Sequence, residues 1–264
     1  MDIIQSILLG LIQGIAEWLP ISSEGQSMLF MMEILRLSPV EAFSIAIFLH
    51  LGTTLAVILK FRAEFLEILR WRITSNPILL KIIIISTLAT GITGVPLFFL
   101  IKGFSHGDIF TLLIGGMLIL TGILLRTQDS KDEGYKRIED MKIRDMLFLG
   151  LAQGFSILPG VSRSGTTITF LLLDRMRQED TLKVSFLISV PAVLGAVTLN
   201  LVTSSGEVIP FSVTNALVMI TVAFLAGYAT IDLLMRSARH LNFSKFCIIL
   251  GFLTIVVTVF PWIV

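Results

Sequence analysis

Apolar residues run along this 264-residue chain in long stretches rather than in the alternating or amphipathic patterns of a soluble fold. Six stretches are long enough to cross the roughly 30 Å hydrocarbon core of a bilayer as helices; they lie near 43–61, 78–101, 110–126, 184–203, 211–235 and 246–263. Two further regions are built differently. Each has a short apolar helix (3–16 and 146–157), a break rich in Pro, Gly and Ser, and a second short helix (24–35 and 165–174). Halves this short cannot each span a bilayer. They predict re-entrant hairpins, whose broken backbone is tolerated at depth where protein covers it or where it lines a cavity.

The two breaks are copies of each other. Residues 9–25 read LGLIQGIAEWLPISSEG and residues 149–165 read LGLAQGFSILPGVSRSG. Leu9, Gly10, Gln13, Gly14, Ser22 and Gly25 recur as Leu149, Gly150, Gln153, Gly154, Ser162 and Gly165, at a constant offset of 140. Repeat one covers 1–126 (hairpin 1–36, spans 43–61, 78–101 and 110–126). Repeat two covers 144–264 (hairpin 146–174, spans 184–203, 211–235 and 246–263). A hairpin returns to the side it entered from and three spans do not, so the second repeat is expected to be inverted. The expected fold is a single all-α integral membrane domain, residues 1–264, of six transmembrane helices plus two re-entrant helical hairpins in an inverted-topology repeat.

Composition agrees. The chain is 55% hydrophobic and 15% charged, with mean hydropathy +0.91, where a soluble domain carries about 25% charged residues. A net charge of +1 gives no reason to expect a nucleic-acid partner. The single cysteine, Cys247, excludes an intramolecular disulfide and a thiolate cluster. The N-terminus lacks a basic leader and a small-residue cleavage site, so no removed signal peptide is expected. Basic loops face the cytoplasm. With both termini outside, the inner loops 60–81, 126–145, 175–183 and 236–245 hold 17 of the 20 Lys and Arg, and the outer side keeps only Arg36 and Lys102. A multi-pass protein of the cell membrane follows, with the two hairpin tips meeting near the midplane.

The remaining base, Arg163, and Glu17 are the two charges this topology carries to the bilayer centre, where each costs about 2.5–3.5 kcal/mol on insertion scales. An ion pair between them offsets part of that cost and could simply lock the hairpins together. It leaves the hydroxyls Ser22, Ser23, Ser162, Ser164, Thr166 and Thr167 unexplained. Some are expected to cap half-helices. Helix N-termini also favour anions, and a guanidinium fork matches phosphate oxygens, so the breaks together suggest a phosphate pocket. Glu17, one turn after Gln13, shares its face and could ligate a divalent cation or move a proton.

These motifs resemble the undecaprenyl-pyrophosphate phosphatase family of the bacitracin-resistance type, along essentially the whole chain. PGVSRSGTT at Pro159–Thr167 matches that family's PGxSRSxxT signature, and QGIAEWLPISSEGQ at Gln13–Gln26 matches its (E/Q)GxxEFLPxSSxGH block with two departures. The resemblance implies hydrolysis of a polyprenyl diphosphate to the monophosphate and inorganic phosphate, recycling the lipid carrier of cell-envelope glycan synthesis. It also implies Mg2+ or Ca2+ dependence and a pocket that opens outward. It assigns Glu17, Ser23 and Arg163 as catalytic, with Ser23 the nucleophile and Arg163 the phosphate clamp. Ser22, Ser162, Ser164, Thr167 and Gln26 become phosphate-contacting positions, and Glu17 with Gln13 the metal-linked ones. Gln13 stands where bacterial members carry Glu, and Gln26 where they carry His; the Gln-type motif resembles an archaeal variant. Gln26 cannot act as a base, so Glu17, His50 or a metal-bound water must.

Other features have plainer readings. Gly10 with Gly14, and Gly150 with Gly154, match the small-residue spacing of close helix packing. Glu33 with Arg36, and Asp232 with Arg236, read as interfacial pairs, and His106 and His240 as loop residues. Trp18 either lines the cavity or packs. Inverted repeats with broken helices are also a transporter architecture, so a polyprenyl-phosphate flippase is the alternative function. The oligomeric state is left open, with a homodimer as one candidate.

Overall fold

The computed structural model describes residues 1–69, 78–104, 106–126, 134–204, 212–237 and 243–263. Among these the secondary structure is helical and no strand occurs, apart from an isolated bridge between Lys136 and Met176. The helices are α1 (Ile3–Ala16), α2 (Ser23–Leu29), α3 (Pro39–Lys60), α4 (Arg62–Leu69), α5 (Ile78–Lys102) and α6 (Gly107–Arg126). The second half holds α7 (Ile143–Gly154), α8 (Arg163–Leu173), α9 (Gln178–Thr203), α10 (Val213–Ser237) and α11 (Phe243–Ile263). Six of them, α3, α5, α6, α9, α10 and α11, are long and apolar enough to cross a membrane, at the expected places. The four short helices flank the two breaks as the sequence suggests. Helix α4 falls in a segment read only as a basic loop; its Glu64 meets Lys183 of α9 at 3.0 Å.

Local chemistry sets the helix ends. Asp2 and Gln5 form a capping box that starts α1, and Ser38 with Glu41, followed by Pro39, does the same for α3. Helix α2 widens into a π-turn at Phe30–Ile34 before the chain reverses. Helix α7 tightens into a 3-10 turn at Phe155–Ile157.

The halves pack by exchange. Helix α1 lies along α10 and α7 along α5; α6 pairs with α11 and α3 with α9; α3 also meets α10, and α5 meets α9. Swapping each element for its counterpart in the other half returns the same set of pairs. Close approach depends on the duplicated glycines. A Cβ on Gly10 would sit 2.8 Å from Val222 Cβ and 2.9 Å from the Met219 carbonyl, while one on Gly150 would run into Ser86 and Ala89. The packing reading of both pairs of glycines therefore holds. The main core gathers Leu9, Met28, Phe43, Phe98, Phe110 and Ile114. Outward faces carry large apolar side chains such as Leu88, Ile92, Ile249 and Phe252, each more than half exposed, the surface expected where lipid replaces water.

Of the expected surface pairs, Glu33 and Arg36 stand 3.9 Å apart. Asp232 instead meets Lys60 of α3 at 2.5 Å; the side chain of Arg236, its expected partner, and all of His240 lie outside the described residues, as do 127–133 of the mixed-charge loop.

Candidate functional site

Both breaks are closed by a serine. Ser22, in the left-handed region at φ 58°, caps α2 by accepting from the Gly25 N–H. Ser162 caps α8 by accepting from the Gly165 N–H at 3.1 Å. The capping reading is thus correct for one serine in each break. The breaks also touch. The Gly160 N–H donates to Ser22 Oγ at 3.1 Å, and Thr121 of α6 donates to the Gly160 carbonyl at 2.9 Å. Gly160 sits at φ +98°, and a Cβ there would lie 2.5 Å from the Ile114 carbonyl, so glycine is required on both counts.

This contact brings Glu17 and Arg163 together. Glu17 is the C-cap residue that follows α1 and is buried. Its Oε1 accepts from Arg163 Nη2 at 2.5 Å. Its Oε2 accepts from Ser23 Oγ at 2.6 Å and from Gln13 Nε2 at 2.9 Å. His50 of α3 donates through Nδ1 to the Ala46 carbonyl at 2.8 Å and turns Nε2 to within 3.4 Å of the same Glu17 oxygen. Arg163 is held by the Ser185 carbonyl at 3.3 Å and lies 5.9 Å above the Phe186 ring. Two oppositely charged groups from different breaks thus share one buried contact, with a hydroxyl bonded to the carboxylate.

The contact forms the floor of a cavity of about 670 Å³, within the size range of small-molecule sites. Glu17, Ser22, Ser23, Glu24, His50, Ser162, Arg163 and Ser164 line its polar end. Its walls, from α5 and α9, are apolar and include Val95, Phe98, Leu199 and Val202, which lie toward the C-terminal ends of those helices. A site with a charged floor and an apolar flank suits an amphiphile carrying an anionic head.

Not every expected residue lines it. Gln26 donates to the Ile21 carbonyl at 3.1 Å and faces a separate apolar groove between α1 and α11. Thr167 is one turn into α8, where its hydroxyl shares a 2.6 Å bond with Ser185. Gln13 supports Glu17 from behind the floor. Trp18 packs rather than lining the cavity: its indole N–H donates to the Gly227 carbonyl at 3.1 Å, and its ring meets Phe186 edge-on at 5.4 Å.

Among the polar lining residues, Gln153 and Glu24 were not named as site residues from the sequence. Gln153, the counterpart of Gln13, donates to Thr90 Oγ1 at 3.0 Å. Glu24 is the third charge in this region, correcting the reading that only Glu17 and Arg163 are carried there; it is 7% exposed. Its position in the first turn of α2, where acids suit the helix dipole, hid it as an ordinary capping neighbour. One oxygen each of Gln13, Gln153 and Glu24 is buried with no hydrogen-bond partner. Among the described residues, no three His, Cys, Asp or Glu side chains converge as a metal cage. The donors present are hard oxygens, the type that Mg2+ and Ca2+ prefer. A set this sparse fits an ion that shares its coordination with phosphate oxygens.

Comparison with known proteins agrees with this geometry. The family profile described as bacitracin resistance protein BacA matches residues 6–256. A protein of Methanothrix thermoacetophila named undecaprenyl-diphosphatase is 49% identical over 264 residues, covering 99% of each chain. Proteins of the same name from Methanopyrus kandleri and Saccharolobus solfataricus are 37% and 34% identical, covering 96% of this chain and 94% and 95% of theirs.

Proposed function

The chain belongs to the bacitracin resistance protein BacA family, and from that premise we propose how its site performs the reaction its relatives are named for. The protein is an undecaprenyl-diphosphatase, a multi-pass membrane enzyme that hydrolyses undecaprenyl diphosphate to the monophosphate and inorganic phosphate. The observation that carries the mechanism is the shared carboxylate: Glu17 accepts from Ser23 on one oxygen and from Arg163 on the other.

In this mechanism the diphosphate enters the cavity head first while the prenyl chain lies along the apolar walls from α5 and α9. Arg163 transfers hydrogen bonds from Glu17 to the terminal phosphate, with the N-terminal end of α8 and Ser164 beside it. Ser23 Oγ attacks the terminal phosphorus and its proton passes to Glu17 Oε2. The bond from phosphorus to the bridging oxygen breaks, and undecaprenyl phosphate leaves. The leaving undecaprenyl phosphate takes that proton from Glu17. Water then attacks the phosphoserine and gives a proton to Glu17. Glu17 passes it to Ser23 Oγ as the bond from phosphorus to the serine oxygen breaks, freeing inorganic phosphate and restoring Ser23. His50 Nε2, beside Glu17, is the second group able to hold that proton. A divalent cation held by Gln13 and Glu17 would neutralise charge on the phosphate oxygens. Thr167, bonded to Ser185, and Gln26, bonded to Ile21, act here by fixing the backbone that carries Arg163 and Ser23.

The architecture belongs to the same proposal. The two breaks are re-entrant hairpin tips meeting near the midplane, the halves 1–126 and 144–264 are inverted repeats, and both termini lie outside. The invariance of the helix pairs under exchange of halves supports the repeat, and the loop charges support the orientation. The transport reading gains no observation of its own.

Phosphate release from undecaprenyl diphosphate by purified protein tests the mechanism. Ser23→Ala and Glu17→Gln are each expected to lower kcat by about 10²–10⁴, the range of general acid–base and nucleophile contributions. Full activity in Ser23→Ala would remove the serine from the chemistry and leave water as the attacking group.

A further inference from the structure

We propose that Glu24 is a cation-binding carboxylate of this site, taking over in α2 the charge that Gln13 does not supply in α1. The inference rests on the phosphatase reading above. Glu24 lines the same cavity as Glu17, its Oε1 is buried without a hydrogen-bond partner, and the residue is 7% exposed. Its counterpart in the second half, at the offset of 140, is Ser164, which accounts for no charge there. A carboxylate withdrawn from water with an oxygen left unpaired is strongly unfavourable. Both oxygens of Glu17 already accept hydrogen bonds, one from Arg163 and the other from Ser23 and Gln13, so Glu24 brings the carboxylate oxygen of this site that lacks a partner.

The charges decide what would relieve this arrangement. With Glu24 ionised, Glu17 and Glu24 against Arg163 leave one net negative charge facing a polyanionic headgroup, so substrate and site repel each other. A divalent cation on Glu24 reverses that sign and gives the orphaned oxygen a partner. Hard carboxylate and amide oxygens match Mg2+, Ca2+ or Mn2+. With few protein ligands, phosphate oxygens and water complete the coordination.

Mn2+ binding to the purified protein, read by the loss of the free-ion paramagnetic resonance signal, tests the assignment without using activity. Glu24→Gln keeps the size and removes the charge. It is expected to weaken Mn2+ binding at least tenfold, about the scale found even for outer-shell partners of metal ligands. In EDTA the variant is expected to melt no lower than wild type, and added Ca2+ is expected to raise the melting temperature of wild type alone. Unchanged Mn2+ affinity in Glu24→Gln would overturn the proposal, and so would a fall in its melting temperature in EDTA, which would make the carboxylate a structural group. The phosphatase reading fails separately, if wild type releases no phosphate under any cation.

Discussion

At the scale of single residues, the site rests on one buried ion pair whose partners come from different breaks. Glu17 and Arg163 meet at 2.5 Å with both side chains almost wholly buried. Removing one partner of such a pair strands the other charge, which costs about 3–5 kcal/mol, whereas replacing both by apolar or neutral groups of similar volume is often near neutral. Arg163→Met is therefore expected to lower thermal stability sharply, and Arg163→Met combined with Glu17→Gln to recover most of it, with both variants inactive. Unfolding in a fixed detergent or lipid measures this; equal stability in all three proteins would mean that the pair does not hold the breaks together. Glu17, Ser23 and Arg163 were legible in the sequence because a charge or a hydroxyl cluster inside an apolar stretch has no cheap structural explanation. Glu24 was not, since an acid in the first turn of a helix has one. Gln26 and Thr167 show the limit of motif reading from the other side: both belong to matched signatures, yet their side chains satisfy neighbouring backbone and Ser185 rather than reaching the cavity.

At the scale of elements, the short helices are positioned by glycines, and those glycines were legible as packing residues from spacing alone. Gly10 and Gly14 seat α1 against α10, and Gly150 and Gly154 seat α7 against α5. Overpacking a tight contact costs about 1–3 kcal/mol or more, and here a longer side chain also moves the break that follows the helix. Gly150→Leu is expected to lower the melting temperature and to reduce kcat/KM, because Arg163 would shift relative to Glu17 and α5, which the new side chain would push, is itself a wall of the cavity. Gly116 of α6, whose Cβ would meet nothing within 4 Å and which does not line the cavity, is the control: Gly116→Ala should leave both unchanged. A melting temperature for Gly150→Leu equal to wild type would show that the contact between α7 and α5 is looser than its geometry. The span boundaries came close from hydropathy because length and apolar content alone decide them. Helix α4 escaped because its eight residues carry an Arg and two Glu, and its Glu64 is anchored by Lys183 from a distant helix, a contact no local pattern announces.

At the scale of the whole molecule, the distribution of basic residues and the exchange of helix pairs make independent statements that must agree. The helix pairs are unchanged when the halves are exchanged, as the proposed inverted repeat would have it; the loop charges favour the first, third and fifth turns between spans as the cytoplasmic ones. The proposed orientation places Arg36 outside and Glu139 inside. Both positions are exposed, so in a Cys247→Ser background Arg36→Cys should react with a membrane-impermeant maleimide in intact cells. Glu139→Cys should react only after the membrane is opened. The same experiment bears on the chemistry, because the cavity walls run toward the C-terminal ends of α5 and α9, the side on which Lys102 lies beside Thr203 and Ser204. If Arg36 labels from outside, the headgroup reaches Ser23 from the outer leaflet. Labelling of Glu139→Cys in intact cells would reverse the orientation, and the site would then draw its substrate from the cytoplasmic leaflet.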